Sequence, residues 1–193
     1  MNPDEYKKLQ MGGGTIKPIH YHIGEWIAIN YLCSHLNKNS KILDIGCGIG
    51  YGVGMFNKLG FWDVLGIDLN PDKISMGKMF GYNIIEKDIL DLDQSDFYNV
   101  IWSSHSFEHM LYPGKTLEHL LKITSYDAKF YFILPYPDLE PAPAHCAVKK
   151  IGTNVDDNAD TVINWFKRGG LKNKILKFDS FREPEVWMEF SKK

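Results

Sequence analysis

Seven residues, Asp44-Ile45-Gly46-Cys47-Gly48-Ile49-Gly50, stand where a short apolar run, Lys41 to Ile45, gives way to a helix-forming stretch, Tyr51 to Leu59. Glycines at a strand-to-helix turn let the backbone bend sharply and let a ligand come closer than any side chain permits. A glycine-rich connector is weak evidence by itself, because a plain flexible turn has the same composition. Two acids narrow the reading. Asp44 lies two residues before the first glycine, and Asp68 ends the next apolar run about twenty residues on, where an acid can accept hydrogen bonds from ribose hydroxyls. The spacing is G-x-G-x-G; Tyr51 occupies the place where the dinucleotide pattern G-x-G-x-x-G needs its last glycine, so that pattern fails.

Strand and helix signals alternate around this turn. Asp63 to Ile67, Tyr82 to Ile85, Val100 to Trp102 and Phe130 to Leu134 read as further strands. Asn70-Pro71-Asp72 is a helix start, with Asn as N-cap, Pro at the first helical position and an acid near the positive end of the dipole; that helix should end at Gly81. Tyr51 to Leu59 ends before Gly60, and Pro113 to Ile123 and Asp160 to Lys167 also read as helices. Apolar strands separated by helices imply a doubly wound, mainly parallel α/β sheet covered on both faces. Leu171 to Phe178 and Glu185 to Phe190 add a C-terminal antiparallel hairpin at its edge. Before the first strand lie the loop Gly12-Gly13-Gly14 and an amphipathic helix from about Ile23 to Leu36; Pro135, Pro137, Pro141 and Pro143 mark a long irregular connection.

Size and charge bound the function. A chain of 193 residues supports one domain, divided here into an N-terminal helical lid, 1–40, and a binding core, 41–193. A net charge of −2 supplies no overall field for phosphate backbones or anionic lipid, so neither nucleic acid nor membrane is expected as a partner. No apolar run approaches the length of a bilayer span. Three unevenly spaced cysteines fit neither a disulfide framework nor a zinc site, which points to the cytoplasm.

With its acid and glycines, Asp44 to Gly50 resembles the first motif of the class I S-adenosylmethionine-dependent methyltransferases, which share a Rossmann-like fold. The similarity runs from about Lys41 to the C-terminus. Ser104-His105-Ser106-Phe107-Glu108-His109 and Leu134-Pro135-Tyr136-Pro137-Asp138 resemble the small-molecule type. The resemblance implies S-adenosylmethionine as cofactor. It places Asp44, Gly46, Cys47, Gly48 and Gly50 beneath the methionine portion and ribose, Asp68 on the ribose hydroxyls and Leu69 on the adenine. Asp88 would take the adenine amino group, the Ile89 backbone would touch the ring, and Ser103 and Ser104 would lie near the methionine end. One departure is Ser125-Tyr126-Asp127-Ala128, where relatives carry a Pro-Gly-Gly-like turn before the fifth strand.

An activated methyl group needs alignment more than acid–base help, so a base is optional. If one is used, His105 and His145 are the candidates, both close to the carboxyl edge of the sheet. His20, His22 and Tyr136 are candidate acceptor contacts; a packed aromatic cluster is the alternative for the two histidines. Glu108 and His109 read as a local structural pair, and His35 and His119 as exposed helix positions. Cys47 reads as a small filler. Ser103, Ser104 and His105 offer no carboxylate, and Asp138 and Glu140 read as solubilising acids, so no metal is expected. The expected reaction is O- or N-methylation of a small-molecule acceptor. The alternatives are a protein methyltransferase and a non-catalytic S-adenosylmethionine-binding accessory subunit; acceptor and oligomeric state stay open.

Overall fold

The computed structural model describes residues 2–11, 17–93, 95, 97–138, 142–152 and 157–193. The glycine run Gly12 to Gly14, Glu140 and Pro141 lie outside the described residues. Parallel strands β1 (Ile42–Ile45), β2 (Val64–Asp68), β3 (Ile84–Glu86), β4 (Tyr98–Ser104) and β5 (Thr124–Pro135) are joined by helices α3 (Tyr51–Lys58), α4 (Pro71–Met79) and α5 (Pro113–Lys122). Two antiparallel strands follow, β6 (Leu171–Asp179) and β7 (Glu185–Lys192), and the sheet order is β3-β2-β1-β4-β5-β7-β6. This is the expected doubly wound sheet with its terminal hairpin. The hairpin enters with its second strand inward: β7 pairs with both neighbours and β6 takes the edge.

Side-chain alternation builds two apolar layers. Phe130, Phe132 and Leu134 of β5, with Val186, Met188 and Phe190 of β7, face Leu117 and Leu120 of α5 and Val162, Ile163 and Phe166 of α7 (Asp160–Arg168). The Phe132 and Phe166 rings stack at 4.5 Å and 16°. Tyr131, Ile133 and Trp187 face the other way, against α2 (Ile19–Cys33) and α3. Burying such side chains is worth roughly 1.5–3 kcal/mol each, and the two layers fix the sheet whose carboxyl ends carry the cavity described below.

The Asn70 cap forms as its sequence predicts: its side-chain oxygen accepts from the Asp72 and Lys73 amides at 3.0 and 3.1 Å. Asn70→Ala should cost about 1 kcal/mol in urea unfolding; an unchanged midpoint would deny the cap its role.

Four expectations change. A first helix, α1 (Pro3–Met11), precedes the predicted one, and α2 begins at Ile19 and ends before His35, which is exposed in a turn. Ser125 to Ala128 make no turn before β5; they lie within it as a bulge, since Tyr98 pairs with Thr124 while Val100 pairs with Lys129. Asn99, opposite the bulge, reaches the Ser125 hydroxyl with its side-chain amide at 3.3 Å. His119 is half-buried rather than exposed, with an unpartnered Nε2. Among the described residues no helix is long and apolar enough to cross a membrane.

Candidate active site

A cavity of about 340 Å³ opens over the carboxyl ends of β1, β2 and β4. Its floor is the glycine turn. Gly46 and Gly48 hold φ of +69° and +57°, and Gly50, at +84°, caps α3. A Cβ on Gly46 would strike Ser106 at 2.4 Å, whereas one on Gly48 would project into open space. Gly46 is therefore demanded by packing and Gly48 by the bend alone, which leaves its face bare to the cavity. The Gly46 and Cys47 amides donate to Ile67 O at 2.8 and 3.0 Å, and the Gly48 amide donates to Asp68 Oδ2 at 2.9 Å. Asp68 Oδ1 accepts from the Asn70 amide at 2.9 Å, so one carboxylate ties the floor to the start of α4.

Asp68, Leu69, Asp88, Ile89, Cys47 and Ser104 all lie on the wall. Asp88 uses Oδ1 to accept from the Leu90 amide at 3.0 Å, capping the short turn Ile89–Asp91. Asp44, Gly50 and Ser103 stand behind the wall. Ser103 is fully buried and shares a 2.8 Å hydrogen bond with Ser106, which donates to Ile45 O at 2.5 Å. Asp44 is 3% exposed with an unpartnered Oδ2; burial, then the charges of Glu25 and Asp68, push its carboxyl well above the usual range. Burial also pushes the Cys47 thiol up, and its sulfur fills the space Gly66 leaves, 2.8 Å from where a Cβ would sit. It is a filler, as its surroundings in the sequence suggest.

The N-terminal helices supply the opposite wall. Tyr6 and Gln10 of α1 and Tyr21, His22 and Glu25 of α2 line the cavity. Tyr6 anchors α1 against Leu111, Cys146 and Leu69. The His22 ring meets that of Tyr51 at 3.8 Å, tilted by 50°, and its Nε2 lies 3.1 Å from Lys17 O. His20 is exposed and does not reach the cavity. Tyr136 also lies elsewhere: it is 4% exposed, gives its hydroxyl proton to Asp157, accepts from the Ala159 amide at 3.1 Å and packs on Phe178. A hydroxyl so engaged is structural, which corrects its place among the acceptor contacts.

His105 reaches the cavity in an environment the sequence did not signal. It holds φ of +50°, an uncommon region for a side chain of this kind. Its Nδ1 lies 2.9 Å from Glu183 and its Nε2 2.6 Å from Glu185. Arg182 grips Glu185 through Nε and Nη2 at 3.0–3.3 Å and gives Nη1 to Ser104 at 3.1 Å. Trp187 donates to Glu185 at 2.6 Å and Tyr21 to Glu183 at 3.1 Å. Burial opposes charge on His105, yet the hydrogen bonds to Glu183 and Glu185, with Glu108 at 3.9 Å, outweigh it and Arg182, raising its pKa to about 9. The hydrogen bond from His105 draws Glu183 down to about 2.

His105 is thus an imidazolium near neutrality, both nitrogens donating, and has no lone pair with which to act as a base. Because the folded value stands above the ordinary one, the stabilisation is complete below pH 6.5 and is lost as pH rises through about 9. Nuclear magnetic resonance should find its ring titrating near pH 9; a midpoint at or below 6.5 would contradict the paired geometry.

His145 caps α6 (Cys146–Ile151), off the cavity wall, and its Nδ1 lies 2.6 Å from Asp138. Asp138 is therefore engaged rather than merely solubilising. His109 does line the cavity; burial lowers its pKa, and its ring meets that of His145 edge to face at 4.8 Å. Sequence reasoning missed Tyr6, Glu25, Arg182, Glu183 and Glu185, none of which belongs to a local motif.

The comparisons bear on the whole arrangement. Residues 22–178, more than half of the chain, match the sequence pattern of a family described as a methyltransferase domain. Among curated proteins none matches. Solved structures similar in fold include the PH0226 protein from Pyrococcus horikoshii (TM-score 0.72, 16% identity, 98% of this chain and 99% of that one). Magnesium protoporphyrin IX methyltransferase from Synechocystis, with bound SAH, superposes with a TM-score of 0.68 at 11% identity, covering 98% and 94% of the two chains. A TehB-like SAM-dependent methyltransferase from Corynebacterium glutamicum gives 0.64 at 21% identity, covering 98% and 95%. At these identities the likeness is one of fold.

Proposed function

The chain belongs to the methyltransferase-domain family, and from that premise we propose that it takes S-adenosylmethionine into the cavity above Gly46 to Gly48 and methylates a small-molecule acceptor there. The observation that carries this is the glycine floor: an open face at Gly48, tied by its own amide to an acid on the next strand end, with a second acid, Asp88, on the third. A carboxylate has about four acceptor positions. Asp68 spends two on amides and retains capacity for ribose hydroxyls; Asp88 gives one to the Leu90 amide and retains capacity for an adenine amino group. Leu69 and Ile89 offer apolar contact to the ring. Lys17, Lys73 and Arg182 stand on the wall beside Glu25, Asp68 and Asp88, and this mixture of signs suits a ligand bearing a sulfonium, an ammonium and a carboxylate.

Bound there, S-adenosylmethionine supplies a methyl group already activated on sulfur. The protein's part is to hold an acceptor in line and keep water away, for which positioning alone can contribute roughly 7–11 kcal/mol. His105 and Ser104, at the end of β4, would orient the acceptor, His105 as a fixed cation rather than a base. His22 would close the cavity from α2; His20, Tyr136 and His145 have no place in this set. Residues 1–40 act as the lid of one domain; the wall that α1 and α2 supply to the cavity through Tyr6, Gln10, Tyr21, His22 and Glu25 supports a small acceptor. The relatives in fold include a methyltransferase for magnesium protoporphyrin IX and a glycopeptide N-methyltransferase, which supports low-molecular-weight acceptors. Three free cysteines, two of them buried, favour a reducing compartment such as the cytoplasm.

Calorimetry should show binding of S-adenosylmethionine and its demethylated product but not of NAD, and incubation with a cell extract should add one methyl mass to a small metabolite. Binding of NAD in preference, or of neither adenosyl compound, would overturn the proposal; a methyl group gained only by protein would overturn the acceptor class.

A further inference from the structure

Beside the cavity, Glu108, His109 and His145 bring one ligand atom each within 4.8 Å of one another. They come from the short turn Phe107–His109 and from the start of α6, 36 residues apart in sequence. The geometry points to a divalent-cation site of the zinc class, formed by these three side chains, of which His109 lines the cavity. It goes beyond methyl transfer and stands on its own contacts.

The donor set is two imidazoles and a carboxylate, the composition of open zinc sites, in which a fourth position is left to solvent or ligand. Two nitrogens argue against magnesium, which prefers oxygen. Histidines that bind a metal through one nitrogen commonly give the other N–H to a carbonyl or carboxylate, which fixes tautomer and ring orientation. Both histidines do so here. His109 Nδ1 lies 3.2 Å from Ala144 O, and His145 Nδ1 lies 2.6 Å from Asp138, so the Nε2 atoms are left for a ligand. The two rings meet at 4.8 Å.

Glu108 supplies an independent sign. Its side chain is 1% exposed, yet its Oε2 is buried with no hydrogen-bond partner. Its Oε1 stands 3.8 Å from His109 Nε2 and 3.9 Å from His105 Nδ1, beyond hydrogen-bond length in both cases. His105 cannot serve it well, being committed to Glu183 and Glu185 at 2.9 and 2.6 Å. A buried carboxylate with an orphaned oxygen is costly without a cation. A metal ion between Glu108 and the two imidazoles removes that cost. His109 and Ala144 line the cavity, so the site borders the space proposed for the acceptor.

The test uses the full chain, stripped with a chelator and dialysed, then titrated with zinc. One equivalent should bind, and the His109→Ala/His145→Ala double variant should lose it. Asp138→Asn, which removes no ligand, should weaken binding about 10- to 100-fold. Cobalt loaded into the wild-type protein should give the visible bands of a low-coordinate site, a readout that needs no variant to fold. No zinc binding by the wild type, equal binding by the folded double variant, or displacement by millimolar magnesium would each overturn the site. S-adenosylmethionine binding is measured on the same stripped protein, so that loss of one reading leaves the other standing.

Discussion

Arg182→Ala should cost about 3 kcal/mol of stability, measured by urea unfolding near neutral pH. The guanidinium is 3% exposed and makes its fork of hydrogen bonds to a Glu185 side chain with no exposure. Removing one partner of a buried pair leaves a desolvated charge, which costs roughly 3–5 kcal/mol; the lower end applies because His105 and Trp187 still donate to Glu185. Packing adds to the loss. The Arg182 stem occupies the space that Gly24 leaves free, its Cγ 2.3 Å from where a Cβ would be, so α2 loses a contact as well. Arg182→Lys should recover little, since an ammonium cannot reproduce the two-pronged geometry. A loss under 1 kcal/mol for the alanine variant would mean that the hairpin end is not held by this pair.

The largest effect on binding should come from Asp68→Ala. Under the proposed reading this carboxylate accepts from ribose hydroxyls, and hydrogen bonds to a charged group contribute about 1.5–3 kcal/mol each. The variant also frees the Gly48 and Asn70 amides, both now held at 2.9 Å. Calorimetry should show S-adenosylmethionine binding about 100- to 1000-fold weaker, with the fold intact by circular dichroism. Asp88→Ala should cost nearer tenfold, as one amino contact is at stake. Undiminished affinity in the Asp68 variant would remove the ribose assignment.

What the sequence could disclose follows from distance along the chain. The glycine turn and the Asn70 cap are contiguous patterns whose geometry is set within a few residues, and both form as read, whereas Asp44 beside the turn is buried behind the cavity wall. The parallel strands are legible for a related reason, since both faces are covered and the residues run nearly all apolar. Helix α1 escaped because Asp4, Glu5, Lys7 and Lys8 make it polar; its place depends on Tyr6 meeting Leu111 and Cys146, over a hundred residues away. His105 was found by its position at a strand end, yet its character was not. That is decided by Arg182, Glu183 and Glu185, which only the β6–β7 turn delivers. The grouping of His109 with His145 was hidden in the same way, since α6 follows a stretch that reads as irregular.

The inward position of β7 has a consequence for how the molecule is made. In an ordinary progression each new strand is laid outside the last, but here the strand synthesised first, β6, ends up farther out, and the gap next to β5 waits for its successor. A nascent chain that has reached Asp179 therefore presents the edge of β5 opposite β4 without its partner strand, the kind of bare margin that recruits other chains. Emergence from the ribosome is consequently a window of vulnerability that closes only when Glu185 to Lys192 slot home.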